Sequence, residues 1–342
     1  MLLKTRNPLC LLVLFFILLS FTGDGGEIKF FVPKDWPKPA YNFSKNPVTT
    51  AGFQLGRQLF YDPLLSRDTT ISCASCHLQA TGFTHVDHRL SHGIQGRIGK
   101  RNSPALMNLA WSSSFMWDGG VNHLDMQPLS PVTSPEEMDE TMENVVRKLN
   151  ASGKYRRLFR AAFGDSVATG QKTLLALSQF VLMLNSYNSK YDKYIRKEPG
   201  GEFTEQELSG LAIFRKHCAS CHAEPLFTDG GFARNGLPAD PELSDIGRMK
   251  VTQNAEDSLK FKVPTLRNIQ FTYPYMHDGR FKKLLEVVNH YTEGIQPGKI
   301  PDARLLTPIV LSHEEKIDLV AFLHTLTDRD FLFDPQFGFP KE

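Results

Sequence analysis

Residues 73–77 read Cys73-Ala74-Ser75-Cys76-His77, and residues 218–222 repeat the same five letters as Cys218-Ala219-Ser220-Cys221-His222. Two cysteines with a two-residue gap, followed at once by a histidine, have the spacing of a c-type haem attachment site. The thiols add to the haem vinyl groups as thioethers, and the adjacent imidazole becomes the proximal iron ligand. The chain has five cysteines, and the two motifs take four of them. The fifth, Cys10, falls in a stretch read as a leader, so no thiol is left for a disulfide. That is unusual for an exported protein unless its cysteines are already committed. A zinc ribbon would set its pairs about 15–20 residues apart, whereas His77 and His222 stand 145 positions apart. A redox-active Cys-x-x-Cys is the other plain alternative. The motifs predict two covalent haem c groups in one chain.

The N-terminus agrees with export. Lys4 and Arg6 precede an uncharged apolar run from Leu9 to Phe21, and small residues Gly23, Gly25 and Gly26 follow. This is the pattern of a signal peptide, expected over residues 1–26. The run is short for a membrane span, which needs about 20 apolar residues. Cys10 begins the run rather than ending it, which argues against a lipid anchor. Covalent haem attachment takes place outside the bacterial inner membrane, so a periplasmic location is expected. Formal net charge is +2, and removing Lys4 and Arg6 brings it to zero. Nothing basic points to nucleic acid.

Beyond the leader, the chain predicts one haem module followed by another. Helical patterns occur at 52–61, 142–149, 154–163 and 171–197, the last long and amphipathic. Residues 78–122 are rich in Gly, Ser, His and Asn and predict a long loop wrapping a haem face. Pro199-Gly200-Gly201 is the expected boundary, giving a first haem domain over 27–198, a second over 202–330 and a tail over 331–342. Thr204-x-x-Glu207 and Ser312-x-x-Glu315 are capping boxes that start two helices of the second module. Strands are expected only as short pairs, so the fold class is mainly α. The only internal repetition evident is the haem motif itself.

The stretches GKRNSPALMN (99–108), FMWDGG (115–120), FKVPTLRN (261–268) and TYPYMHDGRF (272–281) carry a resemblance. They are similar to the bacterial di-haem cytochrome c peroxidases and their relative MauG, from about Phe53 to Phe333. In that family the N-terminal haem meets peroxide, the C-terminal haem takes in electrons or stores oxidising equivalents, and a calcium ion lies between the domains. The resemblance implies Glu137 as the acid/base at the first haem, with Gln127 beside it. Read locally, Ser134-Pro135-Glu136-Glu137 is also a capping box, which would make Glu137 a helix cap. Trp117 is implied as the charge carrier between the haems, against the plain reading of a buried aromatic.

For the second haem, many members place a Met fourteen residues after the His of the HDG motif. Here that position is Tyr291, as in MauG. Leu284, Val287, Val288 and Tyr291 share one helical face, while Glu286 and His290 point elsewhere. Periodicity alone favours a core tyrosine; Met276 is a rival ligand, read as packing because the family usually has an aromatic there. The difference matters, because a thioether raises a haem potential and a phenolate favours ferric and higher states. At the first haem, the gating His of other members is replaced by Ile94, with His92, His88 and His85 nearby. An iron open in the resting enzyme is therefore expected. The resemblance assigns calcium to Asn102 and to the carbonyls of Thr272 and Pro274, oxygen ligands that suit the ion.

The expected activity is reduction of hydrogen peroxide to water with electrons from a small cytochrome or another periplasmic donor. One alternative is a MauG-like oxidase that stores two oxidising equivalents and modifies a protein or small molecule. Another is a plain electron-carrier cytochrome, which would need both irons capped. No nucleic acid and no stable membrane span are expected, and the resemblance leaves a homodimer open.

Overall fold

The structure, a computed structural model, describes residues 26–295 and 301–341. The expected leader, with Cys10 in it, lies outside the described residues except for Gly26. The architecture is mainly α-helical around two hydrophobic cores, as expected. Only β1 (Phe232–Ala233) and β2 (Phe261–Lys262) form a sheet among the described residues. They pair antiparallel, with Phe232 opposite Lys262.

The first core forms between α1 (Thr50–Tyr61), the haem-motif helix α2 (Cys73–Cys76), α3 (Leu129–Thr133), α4 (Met142–Ala151), α5 (Gly153–Phe163) and α6 (Gly170–Leu182). The Thr49 side chain caps α1 by accepting from Gly52 N, and Phe53, Leu55, Leu59 and Phe60 are buried. Each such side chain contributes about 1.5–3 kcal/mol on leaving water. Close approach of α1 to α6 depends on Gly56, where an added Cβ would stand 1.9 Å from the Ala176 carbonyl oxygen.

The second core uses the same device. α7 (Lys190–Arg196) is followed by α8 (Glu205–His217), which starts at the Thr204/Glu207 capping box. Then come α9 (Met249–Thr252), α10 (Leu284–Asn289) and α11 (His313–His324), the last starting at the Ser312/Glu315 box. α8 meets α11 at Gly210, where a Cβ would stand 2.0 Å from the Asp318 carbonyl oxygen. Phe214, Phe227 and Phe322 fill the space beneath them. The last helix, α12 (Arg329–Phe333), returns to the first half, and Phe331, Leu332 and Phe337 join its core.

The single long helix expected over 171–197 is two helices, α6 and α7, separated by residues 183–189. Tertiary hydrogen bonds hold that break. Buried Asp328 accepts from Ser186 Oγ (3.1 Å), Tyr187 N (2.9 Å) and Asn188 N (2.8 Å). Ser189 then caps α7. Backbone groups that a helix would have satisfied internally are satisfied instead by a residue about 140 positions away. No helix among the described residues is long and apolar enough to cross a membrane.

Candidate functional site

Both Cys-x-x-Cys-His motifs fold so that the histidine offers one nitrogen. α2 carries Cys73 and Cys76, and His77 N bonds back to the Cys73 carbonyl at 3.0 Å. His77 Nδ1 donates to the Phe83 carbonyl at 2.7 Å. His222 Nδ1 faces the carbonyls of Phe227 (3.2 Å) and Pro264 (3.1 Å). A carbonyl on Nδ1 fixes the tautomer and leaves the Nε2 lone pair for a metal, the usual support for a ligating imidazole. Burial pushes the pKa of His77 down to about 4 and lowers that of His222 too, keeping both neutral, as ligation requires.

The four cysteines form no disulfide. Burial, and then the neighbouring thiol, pushes Cys73 and Cys218 up to about 12. A redox Cys-x-x-Cys needs the opposite shift. Among the described residues no group of three His, Cys, Asp or Glu is arranged to hold a metal ion. The plain alternatives for the motifs thus lose support.

A cavity of about 300 Å³ opens beside the second motif. Cys218, Cys221 and His222 form one wall. Leu284, Val287, Val288 and Tyr291 line it as well, so the side chains expected on one helical face do share the cavity. The helix changes pitch here, α10 passing into a π-helical turn at His290–Gly294. Such turns re-aim side chains at functional positions. His290 points away and is buried, donating from Nε2 to the Asn235 carbonyl at 2.9 Å. Two thiols and an imidazole lining one cavity with apolar side chains and a phenol fit a covalently attached porphyrin.

The two halves repeat more than the haem motif, contrary to the expectation above. Pro104-x-Leu106-x-Asn108 recurs as Pro264-x-Leu266-x-Asn268, and Met116-Trp117-Asp118-Gly119 as Met276-His277-Asp278-Gly279, all offset by 160 positions. The backbone repeats with them. Asn108 and Asn268 both have φ 57°, Met116 and Met276 have 67° and 75°, and Gly119 and Gly279 have 72° and 66°. Phe115 bridges Val121 as Tyr275 bridges Phe281. Asn108 and Asn268 converge on Ser186, at 3.0 Å to its carbonyl and 2.9 Å to its hydroxyl. In this register Trp117 corresponds to His277, and Tyr291 corresponds to Pro131.

Trp117 lines the cavity, and its indole Nε1 donates to the Asn102 carbonyl at 2.8 Å. Its own carbonyl accepts from Lys262 N at 2.7 Å, so both halves hold it. The neighbouring Arg101 pairs with Asp118 at 2.7 Å and Asp245 at 2.6 Å. Sequence reasoning gave Arg101 no such part, since its partners are 17 and 144 residues away. His277 stacks on Phe261 at 3.6 Å between ring centroids.

Glu137 is not a helix cap. Ser134 ends α3 rather than starting a helix, and Glu137 N bonds to the Ser134 carbonyl at 3.0 Å within a turn. Its carboxylate lies close enough to Cys73 and Cys76 to push both thiols upward. Burial, and secondarily Glu136, raises the carboxyl above its ordinary value. Gln127 lines the cavity with Trp117, and its Nε2 reaches Met116 Sδ at 3.8 Å. Ile94 is fully buried, and its N donates to the Glu137 carbonyl at 2.8 Å. His85, His88 and His92 form a stacked ladder, with adjacent centroids 5.2 Å and 4.2 Å apart. Asn102, Thr272 and Pro274 all line the one cavity, and Asn102 Nδ2 donates to the Arg89 carbonyl at 3.1 Å.

A mainly helical chain with two supported haem motifs and an aromatic bridge between its halves is a di-haem c-type oxidoreductase. The pattern of the family described as di-haem cytochrome c peroxidase matches residues 50–200. The chain is 35% identical over 312 residues to the methylamine utilization protein MauG of Methylorubrum extorquens, covering 88% of this chain and 84% of that protein. It is 34% identical over 278 residues to cytochrome c551 peroxidase of Nitrosomonas europaea, covering 80% and 79%. A solved MauG-like protein associated with microbial copper homeostasis superposes with TM-score 0.82 at 32% identity, covering 92% of this chain and 99% of that one. The chain belongs to the di-haem cytochrome c peroxidase and MauG family, and is an oxidoreductase of the peroxidase type.

Proposed function

We propose that this protein reduces hydrogen peroxide to two waters in the periplasm, using two protons and two electrons from a small cytochrome. The observation that carries the reading is Glu137, a half-buried carboxyl of raised pKa near enough to Cys73 and Cys76 to influence both thiols. Haem on the first motif would be ligated by His77 and would supply the iron that binds peroxide. Glu137 takes the proton from the near oxygen and returns it to the far one, with the Gln127 amide orienting the peroxide. A group with a pKa nearer neutrality is better matched to that exchange. Neither Ile94, at the gate position, nor Pro131, which corresponds to Tyr291, carries a ligating atom, so a first-site iron would be left accessible to peroxide. Haem held by Cys218, Cys221 and His222 would supply the entry point for electrons, and Trp117, bonded to both halves of the chain, is the side chain that would pass them to the first site. A division between α6 and α7, ahead of Pro199-Gly200-Gly201, gives each haem its own domain, since Tyr191 of α7 packs in the second core. A calcium ion held by Asn102 and the carbonyls of Thr272 and Pro274 would brace the loops around Trp117, since those residues share one cavity.

Tyr291 favours a second reading. Its phenol, lining the cavity beside the second motif, is the ligand type expected of a MauG-like oxidase acting on a protein or small molecule. Electron paramagnetic resonance of the resting ferric holoprotein, followed by mixing with peroxide, tests the peroxidase site. A high-spin first haem that reacts without prior reduction is expected. A bis-His low-spin first haem that reacts only after half-reduction would make His92 or a neighbour the gate.

A further inference from the structure

The two motif histidines are supported unequally. His77 Nδ1 has one carbonyl, that of Phe83, at 2.7 Å. His222 Nδ1 is shared between the carbonyls of Phe227 at 3.2 Å and Pro264 at 3.1 Å. These carbonyls belong to two separate loops, 225–228 and 263–267, so their spacing depends on what joins the loops. Thr265 Oγ1 donates to the Leu226 carbonyl at 2.7 Å, Thr228 Oγ1 to the Val263 carbonyl at 2.6 Å, and Leu266 N to the Phe227 carbonyl at 3.2 Å. The Arg267 side chain closes the far end, donating to the Pro225 carbonyl from Nε at 2.9 Å and from Nη2 at 2.6 Å. Arg267 has no exposed surface. Its fork is bidentate on Asp192 of α7, at 2.9 Å and 2.8 Å, and the Trp36 ring lies 4.6 Å from its Cζ.

In the repeat offset by 160 positions, the place of Arg267 is taken by Met107, also buried. The same loop is therefore built in the first half with an apolar side chain there. A buried ion pair is seldom more stabilising than well-packed apolar residues of similar volume, so its use on one side only points to a task other than stability. Pro264, Thr265 and Leu266 line the cavity beside the second motif and Arg267 does not, so it acts through the loop. We infer that Arg267, locked by Asp192, is a positioning residue that holds the Phe227 and Pro264 carbonyls at the spacing at which both accept from His222. Such support orients a ligating imidazole and strengthens it as a donor to iron, and hydrogen bonding behind the ligand is one lever on a haem potential. The inference rests on the reading that His222 ligates the second haem.

Arg267→Met combined with Asp192→Asn places the first half's residue at this position without stranding a buried carboxylate. Thr265→Val cuts a different link between the same two loops and leaves the ion pair whole. Arg267→Lys keeps the charge and loses the fork. Potentiometric titration of the two-haem holoprotein, with electron paramagnetic resonance of its ferric form, reads each haem separately. The double variant should shift the second haem's reduction equilibrium about tenfold toward the ferrous state, roughly 59 mV for one electron. Its ferric g values should change with the potential, while the first haem stays as in the parent. Thr265→Val should move the second haem in the same direction, and Arg267→Lys should fall between the double variant and the parent. Should the double variant lose a haem, the other two decide by the same criterion. A second haem unmoved in every variant that holds two haems, or both haems moved alike, would overturn the role of Arg267. A parent whose second-haem spectrum is unchanged by His222→Gly would overturn the ligand reading and this inference with it.

Discussion

Replacing Glu137 by Gln removes the carboxyl while keeping its volume and one hydrogen-bonding oxygen. The group is held in a turn by Ser134, backed by Ile94, and half-buried near the first pair of thiols. Its raised pKa sets the sign of the pH dependence. As the base, Glu137 must be ionised, so kcat/KM should fall as pH drops through that raised value. A positioned acid/base contributes about 10²- to 10⁴-fold, or roughly 3–5.5 kcal/mol of barrier. Glu137→Gln should therefore lose that much of peroxide-dependent cytochrome oxidation, and its acid limb should vanish. The substitution removes a half-buried ionisable group that desolvation disfavours in its charged form, so the melting temperature should not fall, which separates chemistry from folding. Stopped-flow mixing of reduced cytochrome and peroxide across pH 4–8 (a range set about the ordinary Glu value of roughly 4.3) gives both readouts. Retention of activity within about threefold of wild type, with the acid limb intact, would refute the role of Glu137.

The other predictions test separate parts of the structure. Pyridine haemochrome analysis after denaturation should count two haems per chain, and Cys218→Ala with Cys221→Ala should leave one; a parent count of one would contradict the reading of the second motif. Gly210→Ala should destabilise by at least about 1–3 kcal/mol, the usual cost of overpacking, because its Cβ would meet the Asp318 carbonyl; an unchanged midpoint in urea would show that α8 and α11 can separate freely. Tyr291→Met should raise the potential of the second haem, as axial ligand identity is a main lever on it, and an unchanged spectrum and potential would make Tyr291 core packing.

Much of this was legible in the residues. The haem motifs are contiguous, and the boxes Thr204/Glu207 and Ser312/Glu315 start helices as local chemistry dictates. What stayed hidden depends on distance in sequence. The break between α6 and α7 is imposed by Asp328, which no helical window over 171–197 contains. Ser134 resembles an N-cap by its neighbours, but α3 ends on it, so the turn at Glu137 forms instead. The repeat offset by 160 positions rests on single residues scattered among unlike neighbours. Its signature is a set of positive φ angles at Asn108, Asn268, Met116 and Met276, which composition does not reveal.

The central claim is a peroxidase with an open first haem fed through the second. It is tested most directly by steady-state oxidation of a reduced small cytochrome by the holoprotein with limiting hydrogen peroxide. The account predicts two cytochromes oxidised per peroxide consumed, sustained over many turnovers and without prior reduction of the enzyme. Consumption of a single equivalent of peroxide per protein, with no continuing oxidation of cytochrome, would contradict it and leave the oxidase reading in its place.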